Sequence, residues 1–86
     1  MDKIKRGIYR HFKGNFYEVL GTAIHSETLE KFIVYKALYN SKKFGKNAIW
    51  IRSIKNFAEK VLINGKKIPR FKYLGKSNKT FKKTDN

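Results

Sequence analysis

Hydrophobic and polar residues alternate along much of the first half of the chain, as they do in half-buried β-strands. The alternation predicts four strands, at residues 7–12, 16–24, 32–39 and 48–52. The segment between the first two is Lys13-Gly14-Asn15, and it predicts a tight turn because Gly and Asn tolerate positive φ angles. Gly21, inside the second strand, predicts a bulge or a sharp bend.

The hydrophobic period changes after residue 53, and helical spacing connects Ile54, Phe57, Ala58, Val61 and Leu62. Ser53 is a suitable N-cap, so we expect a short helix of about two turns here. Asn64-Gly65 is the strongest hairpin-turn signal in the chain, and a last strand is predicted over residues 68–74. Pro69 cannot donate a ladder hydrogen bond, so this last strand is expected either at a sheet edge or paired only beyond Pro69.

Five short strands, tight turns and one brief helix predict a mainly β fold, a small and strongly bent antiparallel barrel of the SH3 kind. A flat sheet with one packed helix is the alternative. The chain is short enough that we expect one domain, over residues 1–75. Residues 76–86 carry four lysines and a single phenylalanine, and they are predicted to form a basic, disordered tail.

Composition limits the compartment and the means of stabilisation. The chain has no cysteine, which excludes disulfides and thiolate metal sites. The basic amino terminus lacks the apolar stretch of a signal peptide, and the longest aliphatic and aromatic run, residues 32–35, is too short to span a bilayer. We therefore expect a cytoplasmic protein that makes no membrane contact.

The charge balance is strongly basic, with 21 Lys and Arg residues against six acids and a formal net charge of +15. Such a chain attracts polyanions by counterion release. The alternative is that lysine simply fills solvated positions. Arginines are more informative in a lysine-rich chain, because they mark places that need a planar, bidentate or stacking cation; they are Arg6, Arg10, Arg52 and Arg70.

Catalytic motifs are absent from the sequence. His25, Ser26 and Glu27 include the residue types of a hydrolytic triad, but adjacent residues of an extended chain point to opposite sides and cannot form the relay. No Gly-x-Ser-x-Gly elbow, phosphate-binding loop or dinucleotide fingerprint occurs. We expect neither enzymatic activity nor a cofactor.

Metal binding is a weaker hypothesis. Two histidines and two acids form a two-His, one-carboxylate set if the strands bring them together: His11, His25, Glu27 and Glu30. The favoured alternative is that the acids pair with Arg10, Arg52 or Arg70 while His25 bonds to the backbone. On that interpretation no metal is held.

Aromatic residues interleaved with cations favour a nucleic-acid-binding face, since bases stack on exposed rings. The candidate residues for such contacts are Arg10, Tyr39, Trp50, Arg52 and Arg70. Trp50 is expected to be partly exposed, because Ile49 and Ile51 can serve the inner face of the sheet. Single-stranded nucleic acid or RNA is the partner that this hypothesis predicts.

A peptide or small-molecule pocket is the alternative function. Residues 14–30 contain no Lys or Arg and hold three of the six acids, so a pocket there favours a cationic ligand. Its floor is Tyr35 and Trp50, and the candidate ligand-binding residues are His25, Ser26, Glu27, Thr28, Glu30, Tyr35, Trp50, Arg52 and Arg70. A structural or accessory domain that acts through a protein partner is the third hypothesis.

One known family shares a series of these residues. The matching pattern is Gly7-x-Tyr9-Arg10-His11-x-Lys13-Gly14-x-x-Tyr17-x-Val19, Ala23-x-His25-Ser26-Glu27-Thr28-x-Glu30, Val34-Tyr35-x-x-Leu38-Tyr39, Trp50-x-Arg52 and Phe57-x-x-x-Val61-x-x-x-Gly65-x-x-x-Pro69-Arg70-Phe71. Over about residues 6–73 it resembles the bacterial family called domain of unknown function 1653. The resemblance implies a small, mostly β, SH3-like domain and assigns no activity. Ser53 and Asn56 depart from the Pro and Met usual in that family.

Overall fold

The computed structural model describes residues 4–76, and most of them lie in antiparallel strands. The elements in chain order are β1 (Gly7–His11), β2 (Phe16–Ile24), β3 (Lys31–Ala37), β4 (Asn40–Ser41), β5 (Gly45–Lys46), β6 (Ile49–Ser53), α1 (Ile54–Ala58), β7 (Lys60–Ile63), β8 (Lys66–Pro69) and β9 (Phe71–Gly75). The mainly β, antiparallel class with one short helix is confirmed. Of the predicted tail, residues 77–86 lie outside the described part.

The main sheet has five strands in the order β6-β3-β2-β1-β9, with β4–β5 and β7–β8 as separate two-stranded hairpins. Five is the number of strands that the pattern predicts. The two edge strands, β6 and β9, are not paired with each other in the described part of the chain. In that part of the chain the sheet is therefore open, and it does not close into the predicted barrel because its two edge strands do not pair.

Local turn chemistry forms as expected. Asn64 and Gly65 have φ angles of 50° and 80°, and two successive positive φ values are those of the type I′ turn that joins β7 to β8. Pro69 ends β8, which pairs only with β7 in the described residues, and Arg70 divides the predicted last strand into β8 and β9. The part beyond Pro69, β9, is an edge strand of the main sheet.

A β-bulge interrupts β2 where Gly21 predicts one. The register with β3 shifts between Val19 and Gly21, so Leu20 is an extra residue on that strand. Because side chains alternate with period two, the extra residue changes which side chains of β2 face inward on either side of it. Val19 before the bulge and Ile33 of β3, opposite Thr22, both lie in the core.

The core lies on one face of the main sheet, under the helix. Phe57, at 2% exposure, is the buried residue of α1, and its ring stacks on Phe71 of β9 at 4.2 Å with an angle of 3° between the planes. Edges of the Tyr9 and Tyr35 rings meet Phe57 at 5.4 and 5.5 Å. The side-chain oxygen of Ser53 accepts the Asn56 N–H at 3.1 Å, which confirms the predicted N-cap.

The two faces of β6 are the reverse of the expected ones. Trp50 pairs with Tyr35 and Arg52 with Ile33, both buried residues of β3, so Trp50 and Arg52 face inward. Directly opposed residues share a face of the sheet. Ile49 and Ile51 are therefore on the outer face, 56% and 57% exposed, and the expectation that they serve the inner face is wrong. Trp50 is half-buried.

No helix in the described part of the chain has the length and apolar character needed to cross a membrane.

Phe57→Ala is expected to lower the free energy of unfolding by about 3–5 kcal/mol, because it removes the ring through which α1 contacts Tyr9, Tyr35 and Phe71 on three strands of the sheet. Chemical denaturation with urea measures this loss. The control is Leu62→Ala, at a side chain 66% exposed on β7, which should change stability by less than about 0.5 kcal/mol. Equal effects of the two substitutions would contradict the assigned core.

Gly7→Ala is expected to destabilise the fold more than Gly14→Ala. Both glycines have positive φ angles, 137° and 113°, so either alanine is strained by about 1–3 kcal/mol. A Cβ on Gly7 would also overlap the Gly75 carbonyl oxygen, whereas nothing lies within 4 Å of one on Gly14. Urea denaturation of the two variants separates backbone strain from the overlap, and similar losses would show that β9 moves away freely.

Candidate functional site

Arg52 is fixed on the inner face of the sheet. Its Nε donates a hydrogen bond to the Tyr35 hydroxyl at 2.9 Å, and its Nη1 donates to Oδ1 of Asn56 in α1. The guanidinium carbon lies 5.5 Å from the centre of the Phe71 ring, at cation–π distance. None of these partners is an acid, so the charge of Arg52 is held without neutralisation.

Tyr17 and Tyr39 form a hydroxyl pair beside this arginine. Their Oη atoms are 3.0 Å apart and their rings meet edge to face at 5.6 Å. Burial raises the pKa of Tyr17, and the hydrogen bond to Tyr39 raises it further. The Tyr17 hydroxyl therefore remains neutral at physiological pH. Tyr39 is half-buried.

An exposed aromatic ring stands at the tip of the β4–β5 hairpin. Phe44 is 55% exposed, and its ring rests on Trp50 at 4.9 Å in a T-shaped contact. The Ser41 hydroxyl oxygen accepts the backbone N–H groups of Lys43 and Phe44, both at 3.1 Å, which fixes the turn. Nζ of Lys43 lies 5.7 Å from the centre of the Phe44 ring. Three exposed lysines lie on this hairpin: Lys42, Lys43 and Lys46.

We name this surface the aromatic-arginine face, and it consists of Tyr17, Tyr39, Phe44, Trp50 and Arg52. Of the residues predicted to contact nucleic acid, Tyr39, Trp50 and Arg52 lie on it. Arg70 lies at its margin, where its Nη2 donates to Oε1 of Glu59 at 3.1 Å while its Nε is buried without a partner in the described residues. Arg10 is separated from the face, as its strand neighbours Tyr9 and His11 point inward.

Phe44 was not among the residues predicted from the sequence. Residues 40–47 have a polar, Gly-containing composition, which by itself predicts only a loop. The available signal was a lone aromatic residue among cations, Lys42-Lys43-Phe44-Gly45-Lys46. That pattern is typical of a nucleic-acid contact and also of a loop anchored by one apolar side chain. In the structure the ring contacts Trp50 and remains 55% exposed.

His11 adjoins the face and lies in a positive field. Burial lowers its pKa, and the charges of Arg52, Arg70 and Lys13 lower it further. Its Nδ1 accepts the backbone N–H of Lys13 at 3.2 Å, and its ring meets Phe71 edge to face at 4.9 Å. Positive potential therefore accumulates at this end of β1, where a negatively charged group would be stabilised.

The loop at residues 25–30 is held by its own hydrogen bonds. Nδ1 of His25 accepts the N–H groups of Glu27 and Thr28 at 3.2 Å each, and Oγ1 of Thr28 accepts the Glu30 N–H at 3.2 Å. Leu29, with φ at 65°, completes the turn and donates its N–H to the His25 carbonyl. In the described residues, no arginine forms a salt bridge with Glu27 or Glu30.

The candidate ligand-binding residues separate into two groups. His25, Ser26, Glu27, Thr28 and Glu30 are exposed at the tip of the β2–β3 hairpin. Tyr35 of β3 comes five residues after the end of this loop, about 17 Å along the strand. It accompanies Trp50, Arg52 and Arg70 on the inner side of the sheet, so Tyr35 and Trp50 do not floor a pocket beneath the loop. A binding role for either group stays a prediction.

The two histidines lie at opposite ends of β2. The N–H of His11 donates to the Asn15 carbonyl across the first turn, just before β2 begins. His25 comes directly after the nine residues of that strand, about 30 Å away. The set of two histidines and a carboxylate is therefore not assembled. In the part of the chain that the structure describes, no group of three or more His, Cys, Asp or Glu residues could hold a metal ion.

Comparison with known proteins gives one family and one solved structure. The family described as "Protein of unknown function (DUF1653)" matches residues 7–73. A crystal structure of a DUF1653 protein from Bordetella bronchiseptica is similar to this chain with a TM-score of 0.75 and 34% identity. The similarity covers 85% of this chain and 90% of that one. No curated protein matches.

The pKa of His11 is expected to lie below its ordinary value of about 6.5 in the folded protein. NMR titration of the ring Cε1–H measures it. Arg52→Gln should raise this pKa by removing a positive neighbour, whereas Lys67→Gln, which removes the same charge from β8, should not. Because the pKa is lower in the folded chain, the unfolded chain binds this proton at a higher pH. The free energy of unfolding therefore decreases as pH falls from about 6.5 to the folded pKa, and this group changes it no further at lower pH. A value at or above 6.5 would contradict the positive field.

Proposed function

The chain belongs to the DUF1653 family of proteins of unknown function, and from that premise we propose that it is a non-enzymatic module that binds single-stranded nucleic acid. The family supplies no activity to transfer, so the proposal rests on the surface of this chain. The observation that carries it is Phe44, an exposed ring that contacts Trp50 on a hairpin with three exposed lysines.

Stacking provides the first part of the interaction. A base that stacks on an aromatic side chain gains about 1–3 kcal/mol, and the gain is largely independent of sequence. The contact with Trp50 limits the motion of the Phe44 ring, so less conformational entropy is lost when a base binds. Unpaired bases are available only in single strands, loops and ends, which favours these over duplex.

Charge provides the second part. Salt bridges in the described residues engage only two of the cations, Lys36 with Glu18 and Arg70 with Glu59. In the described residues the lysines of the β4–β5 hairpin form no salt bridge, so an acid does not compete with a phosphate for them. Arg52 already donates hydrogen bonds to Tyr35 and Asn56, so we assign it a supporting role. It holds the aromatic-arginine face in place and adds positive potential.

Other parts of the functional hypothesis stay predictions from the sequence. They are the absence of catalysis and of a cofactor, the cytoplasmic location, a ligand at the His25–Glu30 loop, and action through a protein partner. The hydrogen bonds within that loop agree equally with a structural role and with a preformed recognition loop.

Phe44→Ala is expected to weaken binding of a short mixed-sequence single-stranded RNA by about 5- to 150-fold, the equivalent of one lost base stack. Amide NMR titration of the isotope-labelled protein at near-physiological salt measures both the affinity and the contact surface. The matched control is Leu62→Ala, which removes an exposed apolar side chain from the β7–β8 hairpin. Shifts should concentrate on Tyr39, Phe44 and Trp50.

Charge is tested separately with Lys43→Gln and Lys67→Gln, which remove one positive charge each from different hairpins. Only Lys43→Gln should make the slope of log affinity against log salt concentration less steep, by about one, because one phosphate contact is lost. The proposal fails if Phe44→Ala binds as well as Leu62→Ala. It also fails if binding disappears at physiological salt with shifts spread over all lysines.

A further inference from the structure

A groove of about 340 Å³ lies where the end of β1 meets the end of β8 and the start of β9. Its walls are Arg10, His11, Phe12, Ile68, Pro69 and Lys72. The backbone N–H of Phe12 donates to the Arg70 carbonyl at 2.9 Å and joins the two sides. This volume is at the lower end of the range for small-molecule sites, about 300–1,000 Å³.

The floor of the groove is apolar. Phe12, Ile68 and Pro69 supply it, and the Phe12 ring lies against the His11 ring at 4.6 Å with a tilt of 34°. Pro69 has no backbone N–H, so this wall lacks the polar group that another residue would place there. A flat or aliphatic body of about one ring fits these surfaces better than a fully polar ligand.

The rim of the groove is positive and unbalanced. Arg10 and Lys72 are directly opposed in the β1–β9 register, where like charges repel across about 5 Å. No acid lines the groove, and the acid on β2, Glu18, is engaged with Lys36 at 3.7 Å. Two like charges placed side by side without a counterion form a site that a bound anion would stabilise, and the positive field at His11 extends it.

We propose that this groove binds a small organic anion, with its phosphate or carboxylate on Arg10 and Lys72 and its apolar body on Phe12, Ile68 and Pro69. An arginine fork suits such oxyanions because it donates two parallel hydrogen bonds. The site is independent of the nucleic-acid proposal, since neither Phe44 nor Trp50 lines it. The oxyanion belongs either to a free small molecule or to the terminal phosphate of a nucleic-acid strand.

Phenyl phosphate is the probe, with inorganic phosphate and phenol as its charged and apolar halves. Amide NMR titration of the full chain at an ionic strength of about 0.15 M should show phenyl phosphate binding at least about tenfold more tightly than either half. Shifts should concentrate on the groove, and the bound anion should raise the pKa of His11. Equal affinities for phenyl phosphate and inorganic phosphate, with shifts spread over the lysines, would overturn the proposal.

Arg10→Gln is expected to weaken phenyl phosphate binding by about tenfold, because it removes the fork. Lys72→Gln removes the other cation of the rim and serves as a second test if Arg10→Gln folds poorly. Both side chains are exposed, so we expect both variants to fold. Lys67→Gln, which removes the same charge outside the groove, should bind as wild type does. If all three variants bind alike, the groove is not the site, whatever the outcome for Phe44→Ala.

Competition separates the two sources of the anion. A short RNA with a 5′-phosphate that displaces phenyl phosphate, when the same RNA without it does not, identifies a strand terminus as the natural occupant. If neither RNA displaces the probe, the groove binds a free small molecule. Displacement by both RNAs alike means that the backbone covers the groove without selecting an end, which contradicts a site for a small anion.

Discussion

The stack of Phe57 on Phe71 is the contact on which the rest of the structure depends. An open sheet must bury one face, and this chain covers that face with a helix of five residues, too short to be stable alone. The two parallel rings join α1 to β9, and the edges of Tyr9 and Tyr35 bring in β1 and β3. Large aromatic side chains let few residues bury enough surface for a domain of this size.

The same packing shapes the aromatic-arginine face. Arg52 lies over Phe71 and binds the hydroxyl of buried Tyr35, and Trp50 packs against the core while it supports Phe44. Side chains at this surface are therefore positioned by the core rather than free in solvent. A platform of this kind loses little conformational entropy on binding, which is the physical advantage that we assign to it.

The scarcity of acids connects the two proposals, although they concern different surfaces. Six acids cannot neutralise 21 cations, and neither of the two salt bridges in the described residues involves a residue of the β4–β5 hairpin or of the groove lining. The opposed pair of Arg10 and Lys72 is more specific than the general charge, because its geometry combines two cations with an apolar floor. General charge explains attraction to polyanions, and only such local geometry explains selection of a ligand.

The sequence by itself determined the features that depend on neighbouring residues. The β2 strand, the bulge at Gly21, the cap at Ser53, the turn at Asn64-Gly65 and the family all follow from local pattern. The open sheet, the inward direction of Trp50 and Arg52, the exposed Phe44 and the groove were decided by tertiary structure. Alternation shows which residues of β6 share a face, but the choice between the faces depends on pairing with β3, 13 to 21 residues away, and on the position of Phe57 above them.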